Sequence, residues 1–401
     1  MNPSPAAAPS RLYFLDWLRI AAFALLIVYH VGMYYVSWAF HIKSPAAGTT
    51  IEPFMRLSGP WRLSLLFLVS GAATSFMLAR GVDGAFVRGR SKRLLLPLLF
   101  GILVIVPPQS YFEVVQKLDY SGSYLDFLRL YFSGYDGFFP DGKRLILPTW
   151  NHLWFVVYLW FYTVLLWALV RARPVVLDTL ARHAERVLAG ARLILLPMAG
   201  LAVLRIALVA RFPSTHALVD DWFNHALYFS MFLAGAVFAR TPQLWRRFAA
   251  LRWLALAAAL CAWGLLVTYS SHYGAHSPAP EWLRQGQRVV FAAMQWCAIV
   301  AALGFARQHL NIDHRARRYL TDAVFPVYIL HQTLIILLAV ALRPLQWAPA
   351  IEGPALVAGT FVLSFAGYEL VRRVRTLRPW FGLTSLPPRP RTPAARGEVA
   401  T

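Results

Sequence analysis

Ten predominantly apolar stretches, each near twenty residues long, constrain this 401-residue chain more than any other feature: approximately 17–40, 61–79, 94–113, 152–171, 192–210, 222–240, 251–269, 286–306, 323–342 and 354–372. About twenty apolar residues in helical form cross the roughly 30 Å of a hydrocarbon core. Inside a bilayer every backbone amide must be bonded within a helix or a closed barrel. The pattern predicts an all-α, polytopic integral membrane protein with about ten transmembrane helices. Charged residues make up 14% of the chain, against about 25% in soluble domains, which excludes an ordinary soluble fold.

The net charge of +21 would suggest nucleic-acid binding in a soluble chain, but its placement argues for topology. Sorting the connections alternately puts 26 of the 39 Lys and Arg on one side and 11 on the other, with Arg19 and Arg205 inside apolar stretches. Asp119, Asp126, Asp136, Asp141, Asp220 and Asp221 all fall on the poorer side. The positive-inside rule then places both termini and the basic connections in the cytoplasm. No nucleic-acid partner is expected.

Residues 12–380 read as one membrane domain, flanked by a disordered N-terminus (1–11) and a disordered Pro-, Arg- and Ala-rich cytoplasmic tail (381–401). The first apolar stretch lacks a small-residue cleavage pattern and is expected to be retained as a helix. Cys261 and Cys297 lie inside predicted spans and read as packing residues. In the long connection 114–151, Tyr124, Phe127, Leu128, Tyr131 and Phe132 have the spacing of an amphipathic helix on the membrane surface. Pro97, Pro107, Pro108, Pro197 and Pro326 interrupt spans, which is tolerated where freed backbone groups face other helices or a cavity.

Arg19 and His30 carry the clearest chemistry. Eleven residues make about three helical turns plus roughly 20°, so both side chains share one stripe about 16 Å apart. An ionisable group deep in a bilayer helix costs about 2.5–3.5 kcal/mol on insertion scales, so such groups usually face the protein interior. His30 is a candidate general base, and Arg19 a cation for an anionic donor. Asp16, three residues before Arg19, joins the stripe and is counted with this catalytic set, although two-thirds of a span separates it from His30. The plainer reading is an interior histidine and a snorkelling arginine.

Arg90 and Arg93 in RGRSKRLLLP suit phosphate recognition through guanidinium forks, or serve topology alone. Ser70 and Gly71 in FLVSG read first as helix packing. His152 and Trp154 in NHLWF, and Tyr328 and His331 in PVYILHQ, read first as interfacial or packing residues, while Arg205 inside a span is penalised by the membrane; as acceptor-side or cavity candidates these residues rest on family resemblance alone. Glu369 has Arg372 and Arg373 at i+3 and i+4 and reads as structural. His272 and His276 lack the company a metal site needs, and no metal is expected.

In their order, these residues resemble the membrane acyltransferase-3 superfamily. Arg19 and His30 match its Arg-x10-His signature, and FLVSG, RSKRLLLP, HLWF and YILHQ follow in the family's sequence. The stretch from Arg11 to Ser44 is similar, more narrowly, to the branch that succinylates osmoregulated periplasmic glucans. The resemblance implies a ten-helix enzyme of the bacterial inner membrane. It would move an acyl group, succinyl or acetyl, from cytoplasmic acyl-CoA to a hydroxyl of a periplasmic glucan or other envelope glycan. It implies His30 as catalytic histidine with Arg19 as its signature partner, Arg90 and Arg93 near the CoA phosphates, and Ser70 and Gly71 in the cavity wall. Acyl-CoA is a donor substrate here, with no tightly bound cofactor; membrane lipids surround the chain, and a homo-oligomer is compatible with it. The competing reading is a transporter or flippase for a glycan or anionic metabolite, its charged stripe lining a permeation path.

Overall fold

The computed structural model describes residues 12–274 and 277–384; the segments 1–11, 275–276 and 385–401, which carry most of the expected terminal disorder and His276, lie outside the described residues. Fourteen α-helices follow in order: α1 (Tyr13–Tyr35), α2 (Glu52–Ser58), α3 (Arg62–Leu78), α4 (Gly84–Phe100), α5 (Pro107–Leu118), α6 (Tyr124–Ser133), α7 (Trp154–Ala172), α8 (Val176–Val187), α9 (Arg192–Leu208), α10 (Trp222–Phe238), α11 (Pro242–His272), α12 (Glu281–His309), α13 (Arg315–Leu342) and α14 (Pro349–Arg373). Among the described residues there is no β-strand.

Each of the ten apolar stretches falls mainly on helix. Among the described residues, eight helical segments are long and apolar enough to cross a membrane, and a ninth forms if α8 and α9, bent by 113°, count as one. The difference from the expected ten is one of length. α9 and α10 each have 17 residues, which is about 25 Å of helix, short of a full hydrocarbon core. The chain is a multi-pass membrane protein.

α1 ends five residues earlier than its apolar run suggests. After Tyr35 the chain turns extended at Val36, which bridges to Gly48. The Lys43 ammonium donates to the carbonyls of Met33 and Val36 at 2.7 and 2.6 Å, satisfying acceptors a helix end leaves open. Lys43 lies in the connection outside the spans; burial, then the charge of Lys117, brings its pKa down to about 8.

α4 continues through a π-helical turn, Gly101–Ile105, into α5, whose first residues are Pro107 and Pro108. The wide turn and the missing proline N–H groups leave carbonyls open. The Tyr131 hydroxyl donates to Ile102 and the Thr333 hydroxyl to Ile105. The amphipathic helix expected around 124–132 is α6. It buries Phe127 and Tyr131 with Val114, Phe138 and Leu147 and leaves Leu125 and Phe132 exposed.

The ordered fold does not stop at residue 380. A short turn, Arg378–Phe381, buries Phe381 against Phe100, and the Arg93 guanidinium donates to the Gly382 carbonyl at 3.0 Å. The end of the bundle where α1 begins, with Arg19, Arg90 and Arg93, is called the basic end below.

Candidate active site

His30 sits near the end of α1 away from the basic end, and its Nδ1 lies 2.9 Å from Nε2 of His331 on α13. The two rings are stacked, centroids 5.1 Å apart. The tautomers follow from the acceptors. His331 Nδ1 faces the Tyr328 carbonyl at 2.6 Å; a carbonyl only accepts, so that nitrogen carries the proton. Neutral His331 therefore presents a lone pair at Nε2, and His30 must donate to it from Nδ1. What remains on His30 is an unprotonated Nε2. His331 is fully buried, while His30 keeps accessible surface beside Phe40. Two hydrogen bonds thus set the His30 tautomer and leave Nε2 as its basic nitrogen.

His152 lies against the same pair, its ring 5.1 Å from that of His331, but both its nitrogens are occupied. Nε2 donates to the Ile329 carbonyl at 3.1 Å, and Nδ1 accepts from Gln109 at 3.3 Å. Gln109 also donates to Thr333 at 2.7 Å and accepts from Asn151 and Gln332, each at 3.1 Å. The Tyr328 hydroxyl donates to the His152 carbonyl. This satisfied network fixes α5, α7 and α13 around the histidine pair, so His152 holds the wall of the site instead of presenting a free base.

At the basic end the expected grouping changes. Asp16 Oδ2 receives the buried Arg317 guanidinium at 2.5 Å, and Arg317 also binds Asp313 at 2.7 Å. Asp16 approaches Arg19 only at 3.7 Å. It is fourteen residues from His30, about 21 Å along the helix, and is a partner of Arg317, not of the imidazole. Outside the spans, hydrogen bonds from Arg318 and Arg317 bring the Asp313 carboxyl down to about 2. Arg90 lies within electrostatic range of both Arg93 and Arg19, so three cations from two helices face one region. Beside them, a cleft of about 490 Å³ is lined by Lys92, Arg93, Trp380 and Leu383, among others.

Residues 12–369 match the family model described as an acyltransferase domain. The chain belongs to the acyltransferase-3 family. It is similar to glucans biosynthesis protein C of Escherichia coli K12 (24% identical), strain SMS-3-5 (24%) and O6:K15:H31 strain 536 (25%), each over 389 residues covering 94% of this chain and 95% of the relative. No solved structure matches it. The protein is a membrane acyltransferase.

The structure of this acyltransferase disperses several other sequence candidates. Gly71 is a helix contact: a Cβ there would meet the Phe232 carbonyl oxygen at 1.8 Å, and one at Gly235 would meet that of Leu68 at 1.8 Å. The pair lets α3 and α10 touch backbone to backbone, so the expected place of Gly71 in a cavity wall is taken by α10. Ser70, partly exposed, accepts from Thr74 through its own carbonyl. Trp154 stacks on His216, centroids 4.3 Å apart, and pins the connection before α10. Arg205 lies over the Phe291 ring at 3.6 Å and belongs to the α9–α12 packing. Glu369 pairs with Arg372 and Arg373 at 3.0 and 2.9 Å, as the spacing indicates.

Sequence reading missed Gln109, Asn151, Gln332 and Thr333, whose polarity inside apolar runs was the available signal. It also missed Arg62 and His41. His41 Nδ1 meets Glu113 Oε2 at 2.5 Å, and Glu113 binds Lys117, which in turn reaches Asp141 at 2.6 Å. This chain of charges ties the 36–51 connection to α5 at the end of the bundle away from Arg19.

Proposed function

We propose that this protein is an acyl-CoA-dependent O-acyltransferase of the bacterial inner membrane, with both termini and the basic end in the cytoplasm. The excess of Lys and Arg at that end supports the orientation. The observation that carries the reading is the His30–His331 hydrogen bond, which leaves His30 Nε2 as an oriented base on the same helix as Arg19. Arg19, Arg90 and Arg93 would hold the phosphates of the donor, where guanidinium forks match phosphate oxygens. The thioester arm would run between the helices toward His30.

His30 Nε2 takes the proton of an acceptor hydroxyl as its oxygen adds to the thioester carbonyl carbon. The tetrahedral adduct collapses, the C–S bond breaks, and the imidazolium returns its proton to the leaving thiolate. His331 keeps the His30 ring in position throughout. The relatives' name, glucans biosynthesis protein C, favours a glucan as acceptor; the acyl group proposed is succinyl or acetyl.

The test is release of free CoA by the purified protein from succinyl-CoA or acetyl-CoA, with and without a linear β-glucan, in native protein and His30→Ala. Alanine suits a bilayer helix and leaves the fold intact, so its expected effect is a rate loss of about 10²–10⁴-fold. Native turnover in the folded alanine variant would remove His30 as the base.

A further inference from the structure

Arg62 opens α3 and is only 3% exposed. Arg317, buried to 1%, is held by Asp16 and Asp313; Arg62 pairs with no carboxylate among the described residues. Its Nε is buried without a hydrogen-bond partner; the rest of the guanidinium reaches only neutral oxygens, Ser58 Oγ at 3.4 Å and the Tyr29 hydroxyl. The guanidinium carbon lies over Tyr29, 3.7 Å from the ring centre, and that ring is 6.2 Å from the His30 ring. Arg62 is within electrostatic range of His30 and of His331. A charge taken out of water without a counter-ion is strongly unfavourable. Such a cation beside an oriented base is suited to an anion that exists only during turnover.

We propose that Arg62 neutralises the oxyanion formed when the acceptor hydroxyl adds to the acyl carbonyl beside His30, an assignment that rests on the acyltransferase chemistry given above. As the new C–O bond forms, the carbonyl π pair moves onto oxygen and the hydroxyl proton passes to His30 Nε2. That proton would set a second cation near Arg62, and the two repel. An oxyanion between them turns the repulsion into two attractions, so proton transfer becomes favourable only together with nucleophilic addition. Collapse of the adduct restores the carbonyl, expels thiolate and returns the proton from His30, leaving Arg62 again without a counter-ion. Fixed donors aimed at developing charge in a dry site give the largest transition-state stabilisation available to an acyl transferase.

The experiment measures kcat and donor KM for Arg62→Gln and Arg62→Lys with acetyl-CoA and with succinyl-CoA, in nanodiscs. Arg62→Gln should lose about 10²–10³-fold in kcat with both donors, while donor KM stays within about threefold of native. Arg62→Lys keeps the charge, guards against a folding failure of the neutral variant, and should retain more activity than Gln. Arg62→Ala should regain turnover with added ethylguanidinium and, to a smaller extent, with ethylammonium, a rescue that a purely structural role would not give. The proposal is overturned if Arg62→Gln turns over at the native rate, if the loss lies in KM alone, or if it is confined to succinyl-CoA, which would make Arg62 a site for the distal carboxylate. Absence of CoA release by the folded native protein would overturn the acyltransferase reading itself, and this proposal with it; an active native enzyme with an unaffected Arg62→Gln would remove Arg62 alone.

Discussion

Replacing His331 by phenylalanine tests the hydrogen bond on which the histidine pair depends. The substitution keeps an aromatic ring of similar reach against Tyr328 and the His152 ring, but removes the acceptor that lies 2.9 Å from His30 Nδ1. His30 then has an unsatisfied N–H inside the bundle. Leaving a buried donor unpaired costs about 1–3 kcal/mol, and the imidazole avoids that cost by rotating or by moving its proton to Nε2. Either response removes the basic nitrogen from the reacting position. At about 1.36 kcal/mol per decade of rate, the population cost corresponds to a fall of about 5- to 150-fold in kcat. Glutamine at position 331 can accept from His30 through its amide oxygen, so His331→Gln should lie between phenylalanine and native. The assay is CoA release from acetyl-CoA or succinyl-CoA at saturating donor, with folding checked by gel filtration and thermal unfolding. A folded His331→Phe with the native rate, or a Gln variant no better than Phe, refutes the tautomer argument.

Three further outcomes are expected. Arg90→Ala combined with Arg93→Ala should raise the donor KM by about tenfold or more, in line with the loss of charge-assisted hydrogen bonds, without changing acceptor dependence; steady-state kinetics at varied donor checks it. Gly71→Ala should destabilise the protein by about 1–3 kcal/mol through overpacking, because its methyl would meet the Phe232 carbonyl; Gly200→Ala, with nothing within 4 Å, is the control in thermal unfolding. His216 lies in the connection before α10, where burial pushes its imidazole below the ordinary 6.5 while Asp221 acts in the opposite direction. Between that depressed value and 6.5 the unfolded chain binds more protons than the folded one, so stability rises with pH across this window and is lost as pH falls through it. His216→Asn, which tolerates the backbone φ of +55° there, should flatten that slope in melting curves.

Helix existence was legible because it is local. Most backbone groups of an apolar run bond within the run itself, and each of the ten runs falls mainly on helix. The shared face of Arg19 and His30 followed from 3.6 residues per turn, and the pairing of Glu369 with Arg372 and Arg373 from i+3 and i+4 spacing. Where sequence reasoning fell short, the deciding contact was distant. Asp16 looked like part of the His30 stripe until Arg317, 301 positions away, took its carboxylate. Gly71 read as helix packing from its size alone, but that its neighbour is α10, and not the cavity that the resemblance implied, took the tertiary structure.

The reason is specific to this class of chain. In a water-soluble helix the polar face marks the outside, and the pattern says which side packs. In a bilayer both the lipid-facing and the protein-facing sides are apolar, so a span carries little information about its neighbours. The sequence alone therefore determined that the chain crosses a membrane many times, which end is basic, and that a histidine and an arginine share one helix. Only the packing of α1 against α3 and α13 decided that His30 meets His331, that its remaining nitrogen is Nε2, and that Arg62 stands beside it with no paired carboxylate among the described residues.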